Sequence, residues 1–200
     1  MKQVEKAIAI AVQAHAGQVD KAGAPYIFHP LRLMLRMTTE VEMMAAVLHD
    51  VVEDGPGWTL HRLTVEGIPA DVVEIVDFLT KRPEEKNDYD AFIRRVDGNP
   101  VARRIKLADL EDNMDLRRIA NPTEKDRARL EKYRRAHAFL TTPPSANTSS
   151  RDQMREDFAD RLSAGNPDGQ NRKVLAEVDA EPLDRKSSTS ANVPTEPTSK

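Results

Sequence analysis

Apolar residues recur at intervals of three and four through nearly all of residues 1–140, and no stretch alternates convincingly with period two. The first interval is the helical repeat and the second is the strand repeat. A chain with this pattern buries its apolar surface by packing helix on helix, so the expected fold class is all-α. Val4, Ala7, Ile8, Ala11, Val12 and Ala14 open the pattern as a first helix. Gly17, Gly23 and Pro25 interrupt it. Pro30, directly after His29, is expected at the first position of a second helix, where a missing amide hydrogen costs nothing. A third helix is expected over residues 40–53, carrying Met43, Met44, Ala46, Val47, Leu48 and Val51 and stopping at Gly55-Pro56. Thr59 is placed to cap a short helix through Leu63, and Pro69 to open one with Val72, Val73, Ile75, Val76 and Leu79 on its buried side. Residues 88–96 form a further helix with Phe92 and Val96 inward, and residues 100–118 read as one long helix. Thr123 followed by Asp126 caps a last helix to about Leu140.

Composition divides the chain near Thr141. Beyond it Pro, Ser, Thr, Asn, Asp and Glu dominate and Phe158 is the only aromatic residue, so 141–200 is expected to be a largely disordered tail. Within it Met154, Phe158 and Leu162 fall four apart, enough for a transient helix but too narrow a stripe for a core. Residues 1–140 are the expected folded domain.

A formal net charge of −3 gives no global basic surplus, so nucleic acid is not expected as a partner. With no cysteine in the chain, disulfides, thiolate metal sites and thiol nucleophiles are excluded, and His and carboxylates remain as metal ligands. No secretion signal or run of 18 apolar residues is seen, so no membrane partner and a cytoplasmic location are expected.

Ionisable residues concentrate where helix packing does not call for them. His49-Asp50-Val51-Val52-Glu53-Asp54 places four such groups at the end of an otherwise apolar helix, and helical geometry would bring them onto neighbouring parts of one helical end. Three carboxylates so close repel one another unless a cation or basic groups neutralise them, and a His beside an Asp is a ligand pair for Mn²⁺, Fe²⁺ or Zn²⁺. A solvated acidic helix end is the alternative. His29 lies among bulky apolar residues just before Pro30, a metal ligand or a buried cap. Asp109 sits in mid-helix, unfavourable without a partner, with Asn113 four residues on. Together His29, His49, Asp50 and Asp109 would supply four ligands and leave coordination positions open for water and a phosphate oxygen, as a catalytic site requires.

His49-Asp50 with a distant Asp109 resembles the pattern of HD-superfamily metal phosphohydrolases. Residues 14–31 (Ala14-His15-Ala16-Gly17-Gln18 through His29-Pro30-Leu31), then Leu48-His49-Asp50-Val51-Val52-Glu53-Asp54, then Lys106-Leu107-Ala108-Asp109 are similar, in the same order, to the hydrolase domain of RelA/SpoT homologues. The likeness covers about residues 1–140 and is nearest to the stand-alone small alarmone hydrolases. It implies an HD-domain helical bundle and one Mn²⁺ ion. The implied reaction is removal of the 3′-pyrophosphate from guanosine tetra- or pentaphosphate to give GDP or GTP. Position by position, it implies His29, His49, Asp50 and Asp109 as metal ligands and Glu53-Asp54 as the pair that orients or deprotonates the attacking water. It also implies Lys21 as a point charge on phosphate and Asn113 beside base and ribose. Arg32, Arg103, Arg104 and Lys106 are expected to be solvated, and His15, His61 and His137 structural or exposed.

Two departures from the family stand out. Asp20 occupies the position where the alarmone hydrolases usually have arginine before the lysine, and Leu110-Glu111-Asp112-Asn113 replaces their usual Arg-Leu-His-Asn. A carboxylate cannot offer a guanidinium face to a guanine base. The alternative readings are therefore an HD phosphohydrolase acting on another phosphorylated nucleotide, or a non-catalytic nucleotide-binding helical module.

Overall fold

Ala7, Ile10, Ala11 and Ala14 gather on one buried face of helix α1, Gln3–Ala14, as spacing of three and four dictates. The computed structural model describes residues 2–118 and 123–142. Apart from Thr141 and Thr142, the expected tail, including its helical spacing at 151–162, lies outside the described residues. The remaining helices are α2 Phe28–Met34, α3 Glu40–Leu48, α4 Val51–Asp54, α5 Leu60–Val65, α6 Ala70–Leu79, α7 Tyr89–Asp97, α8 Pro100–Met114 and α9 Glu124–Thr141. Short 3-10 turns occupy Pro83–Glu85 and Leu116–Arg118. Among the described residues there is no strand, only an isolated antiparallel bridge between Val19 and Pro25, so the fold is all-α as its periodicity requires.

Local chemistry sets where most helices begin. Thr59 accepts the Arg62 amide at the start of α5, Asp88 the Ala91 amide at α7, and Asn99 the Val101 and Ala102 amides at α8, ahead of Pro100. Thr123 and Asp126 cap α9 reciprocally. Each such cap satisfies donors that a helix leaves without internal partners and contributes about 1 kcal/mol.

Three of the boundaries that differ from those read in the sequence have a clear physical reason. Helix α2 begins at Phe28, so Pro30 is its third residue. The first four amides of a helix have no internal acceptor, and the third position tolerates proline for the same reason as the first. The apolar run over 40–53 is split: α3 ends at Leu48, and Asp50, at φ −100° and ψ −4°, departs from helical dihedrals before α4 starts. Helix α8 stops at Met114 because the Asp115 side chain accepts the Arg117 amide at 3.1 Å, a local bond that competes with the helical ladder.

Helix α3 is the centre of the bundle and packs against α1, α2, α6 and α8. Met44, Ala45, Ala46, Val47 and Leu48 are all buried, the signature of a helix apolar on every side. Burying a side chain of the size of Val47 or Leu48 contributes about 1.5–3 kcal/mol. The consequence for function is rigidity: the His49-Asp50 joint is the C-terminal end of the most deeply buried helix. Buried Arg95 of α7 ties the other side together. It grips Glu85 through two nitrogens at 2.6 and 2.7 Å and donates to the carbonyls of Asp77, Phe78 and Thr80. This fixes the end of α6 and the chain leading to Lys81.

Candidate metal centre

Helix α2 brings His29, the α3–α4 joint brings His49 and Asp50, and α8 brings Asp109 to one point. One ligand atom from each of His29, His49 and Asp50 lies within 4.8 Å of the others, a group able to hold a metal ion. Asp109 closes the fourth side, with its Oδ1 3.2 Å from His29 Nε2 and 3.9 Å from His49 Nε2. Asp50 Oδ2 lies 2.9 Å from His49 Nε2 and 3.8 Å from His29 Nε2.

The donor chemistry fits a divalent cation. A carbonyl only accepts, so the 2.9 Å contact between His49 Nδ1 and the Ala46 oxygen places a proton on Nδ1 and leaves Nε2 as the nitrogen that faces the carboxylates. That Nε2 is buried and makes no bond of hydrogen-bonding geometry among the described residues, although Asp50 is close. An unsatisfied buried nitrogen costs about 1–3 kcal/mol, which coordination would relieve. Burial opposes ionisation of both carboxylates. The His49 charge nevertheless draws the Asp50 pKa down, and Lys106 and His29 do the same for Asp109. Burial also opposes the His29 imidazolium, but hydrogen bonds to Asp109 and Asp112 hold its pKa up to about 9. The set is built around ionised carboxylates.

A shell of bonds fixes these groups. Partly buried Lys106 donates to Asp109 Oδ2 at 2.7 Å, and Asn113 Nδ2 donates to Asp109 Oδ1 at 2.5 Å. Tyr26 donates its hydroxyl to Asp50. Lys106 is thus not simply solvated, and Arg32, though partly exposed, pairs with Asp112. Arg104 reaches Glu42 at 2.5 Å, and Arg103 binds the Leu140 carbonyl.

Glu53 and Asp54 stand on α4, immediately after the joint. The Glu53 carboxylate accepts the Lys81 amide. Desolvation raises the pKa of both side chains, and the Asp50 charge adds to it, the direction that makes a carboxylate a better proton acceptor. His15, read in the sequence as structural or exposed, is buried against Tyr26 with ring centroids 4.9 Å apart. Its Nδ1 lies 2.9 Å from Gln18 Oε1, and Gln18 Nε2 donates to the Asp54 carbonyl at 2.8 Å. His61 is exposed, and His137 lies 3.2 Å from Glu111.

A pocket opens beside His29 and Tyr26, with Asn113, Lys21, Arg129 and Tyr133 on its walls. Asp126 holds two basic side chains of the pocket wall, Arg129 at 2.7 Å and Lys21 at 3.5 Å. Arg129 and Tyr133 were missed in the sequence. The available signal was their spacing of four on α9, which puts both on one helical face.

Known proteins align with much of this helical region. The probable GTP pyrophosphokinase of Mycobacterium leprae is 34% identical over 138 residues, 62% of this chain and 17% of that protein. The guanosine-3′,5′-bis(diphosphate) 3′-pyrophosphohydrolase of Haemophilus influenzae is 36% identical over 119 residues, 52% of this chain and 17% of its own length. The bifunctional (p)ppGpp synthase/hydrolase SpoT of Escherichia coli K12 is 31% identical over 128 residues, 57% of this chain and 18% of its own. The chain is related to the RelA/SpoT homologues. It spans less than a fifth of the length of these relatives, and no protein-family model matches it.

Seen against the RelA/SpoT pattern, both departures have structural work to do. Asp20 Oδ1 accepts the amides of Ala22 at 2.8 Å and Ala24 at 3.0 Å, so its carboxylate organises the turn in which Gly23 takes φ +81°. Asp112 binds His29 and Arg32 and is not simply an acid on the pocket wall. Among the described residues, no helix is long and apolar enough to cross a membrane.

Proposed function

We propose that the helical domain is a Mn²⁺-dependent phosphohydrolase that removes the 3′-pyrophosphate of guanosine tetra- or pentaphosphate, giving GDP or GTP and pyrophosphate. The observation that carries this reading is the convergence of two imidazoles and two carboxylates from three separate segments, with two carboxyl groups of raised pKa beside them. The relatives named for hydrolysis or synthesis of this nucleotide support the substrate class.

A divalent ion held by His29, His49, Asp50 and Asp109 would supply Lewis acidity to a phosphate oxygen and make water a stronger acid. Glu53 and Asp54 orient the attacking water and take its proton, which the raised pKa of each favours. The Lys81 amide holds the Glu53 carboxylate in place for this. Lys21 and Arg129 meet phosphate charge in the pocket, and Asn113 lies between that pocket and Asp109.

A second reading, hydrolysis of another phosphorylated nucleotide, is favoured by one feature: Asp20, Asp112 and Asp115 line the pocket. A non-catalytic binding module would have no use for Glu53 and Asp54 beside a metal centre. The deciding experiment is Mn²⁺-dependent pyrophosphate release from guanosine tetraphosphate by the full chain, beside Asp50→Ala. Turnover by the parent alone supports the alarmone reading. Mn²⁺ binding without turnover overturns it and leaves the second.

A further inference from the structure

We propose that Asp112, locked by Arg32, is a positioning residue that aims His29 into the metal centre. The inference rests on the metal centre described above and adds a device absent where histidine occupies the position of Asp112. His29 and Arg32 lie three apart on α2, and Asp109 and Asp112 lie three apart on α8. Residues three apart share a helical face, so the two helices meet in a two-by-two ladder. His29 Nε2 faces Asp109 Oδ1 at 3.2 Å, and Arg32 Nε faces Asp112 Oδ1 at 2.7 Å. The diagonal contact is the informative one: His29 Nδ1 lies 2.7 Å from Asp112 Oδ2.

An ionised carboxylate only accepts, so Nδ1 must donate, and Nε2 is the nitrogen left to face Asp109 and Asp50. Asp112 is itself held. Arg32 Nη2 donates to Oδ2 at 2.8 Å alongside the Nε bond to Oδ1, a bidentate fork that fixes the carboxylate plane. A histidine at 112 could not accept such a fork. Arg32 therefore reaches the metal centre through Asp112, and Asp112 reaches it through His29. The fork also matches the charge of Asp112 with a cation, so the departure from the family motif reshapes the metal's support and does not add an unpaired acid to the pocket.

Calorimetric titration of the full metal-free chain with Mn²⁺ alone tests this, with thermal melts of each metal-free variant as a check on folding. Asp112→Ala is expected to weaken Mn²⁺ affinity about 10- to 100-fold, the range for loss of a group that orients a histidine ligand. Asp112→Asn keeps the shape and an acceptor for Nδ1 but loses the fork, and should fall between Asp112→Ala and the parent. It also serves as the folded variant if the alanine protein does not fold. Arg32→Ala should weaken affinity in the parent and leave it unchanged in the Asp112→Ala background. Parental affinity in Asp112→Asn and in folded Asp112→Ala would overturn the proposal, and so would additive effects of Arg32→Ala and Asp112→Ala. A parent that binds no Mn²⁺ would overturn the metal centre itself, a result distinct from either.

Discussion

His29 Nε2 lies 3.2 Å from Asp109 Oδ1, joining α2 to α8 at the candidate metal centre. The pairing helps hold the His29 pKa up to about 9 against the effect of burial, so its ring carries a proton at neutral pH that metal coordination must displace. Mn²⁺ uptake at pH 7 should release protons, and affinity should climb with pH until about 9. The sign for stability follows from a folded pKa above the unfolded value of about 6.5. The contribution is fully present below that value and is lost as pH rises through about 9. Thermal melts in chelator should therefore show a falling Tm across this window, and saturating Mn²⁺ should stabilise most at its upper end. A Tm independent of pH over the window would mean that His29 is neutral in the folded protein.

Glu53 and Asp54 act on water and not as ligands in the proposed mechanism. Glu53→Gln and Asp54→Asn should each lower kcat by about 10²- to 10⁴-fold, the usual worth of a general acid or base. Mn²⁺ affinity should stay within a few-fold of the parent. Loss of Mn²⁺ binding in either variant would move that residue into the ligand set.

Lys21 and Arg129 share Asp126 and line the same pocket. Hydrogen bonds to charged groups contribute about 1.5–3 kcal/mol, so Lys21→Ala and Arg129→Ala should each raise KM about 10- to 100-fold. Mn²⁺ affinity should not change. Unchanged KM in both variants, measured on guanosine tetraphosphate, would place the substrate elsewhere.

Much of the fold was legible in the sequence because its determinants are local. Thr59, Asn99 with Pro100, and Thr123 with Asp126 set helix starts by bonds spanning two or three residues. The break at His49-Asp50 was not legible, since the apolar repeat of α3 continues to Val51 and the groups that gather at the joint come from α2 and α8. Candidate residues His29, His49, Asp50 and Asp109 stood out as polar groups among apolar ones. Their supports did not: Arg32 and Asp112 are separated by 80 residues, and each alone looks like a solvated charge. The matching three-residue spacings of His29 with Arg32 and of Asp109 with Asp112 were the one signal that could have paired them.

Gly55 follows Asp54 directly, and a Cβ added there would come within 2.5 Å of the Val51 carbonyl oxygen, 2.9 Å of Ala14 Cβ and 3.0 Å of Trp58 Cδ1. Ala14, Val51 and Trp58 are all buried, so none can swing aside. Gly55→Ala must push α4 away from α1, and Glu53 and Asp54 ride on α4. Overpacking of this kind costs about 1–3 kcal/mol, which should appear as a lower Tm. Turnover should fall at temperatures well below that Tm, because the displaced carboxylates no longer meet the water. Mn²⁺ affinity should be less affected, since His29 and Asp109 stand on α2 and α8. A variant with reduced Tm but parental kcat would show that the approach of α1 to α4 stabilises the fold without setting the geometry of the reaction.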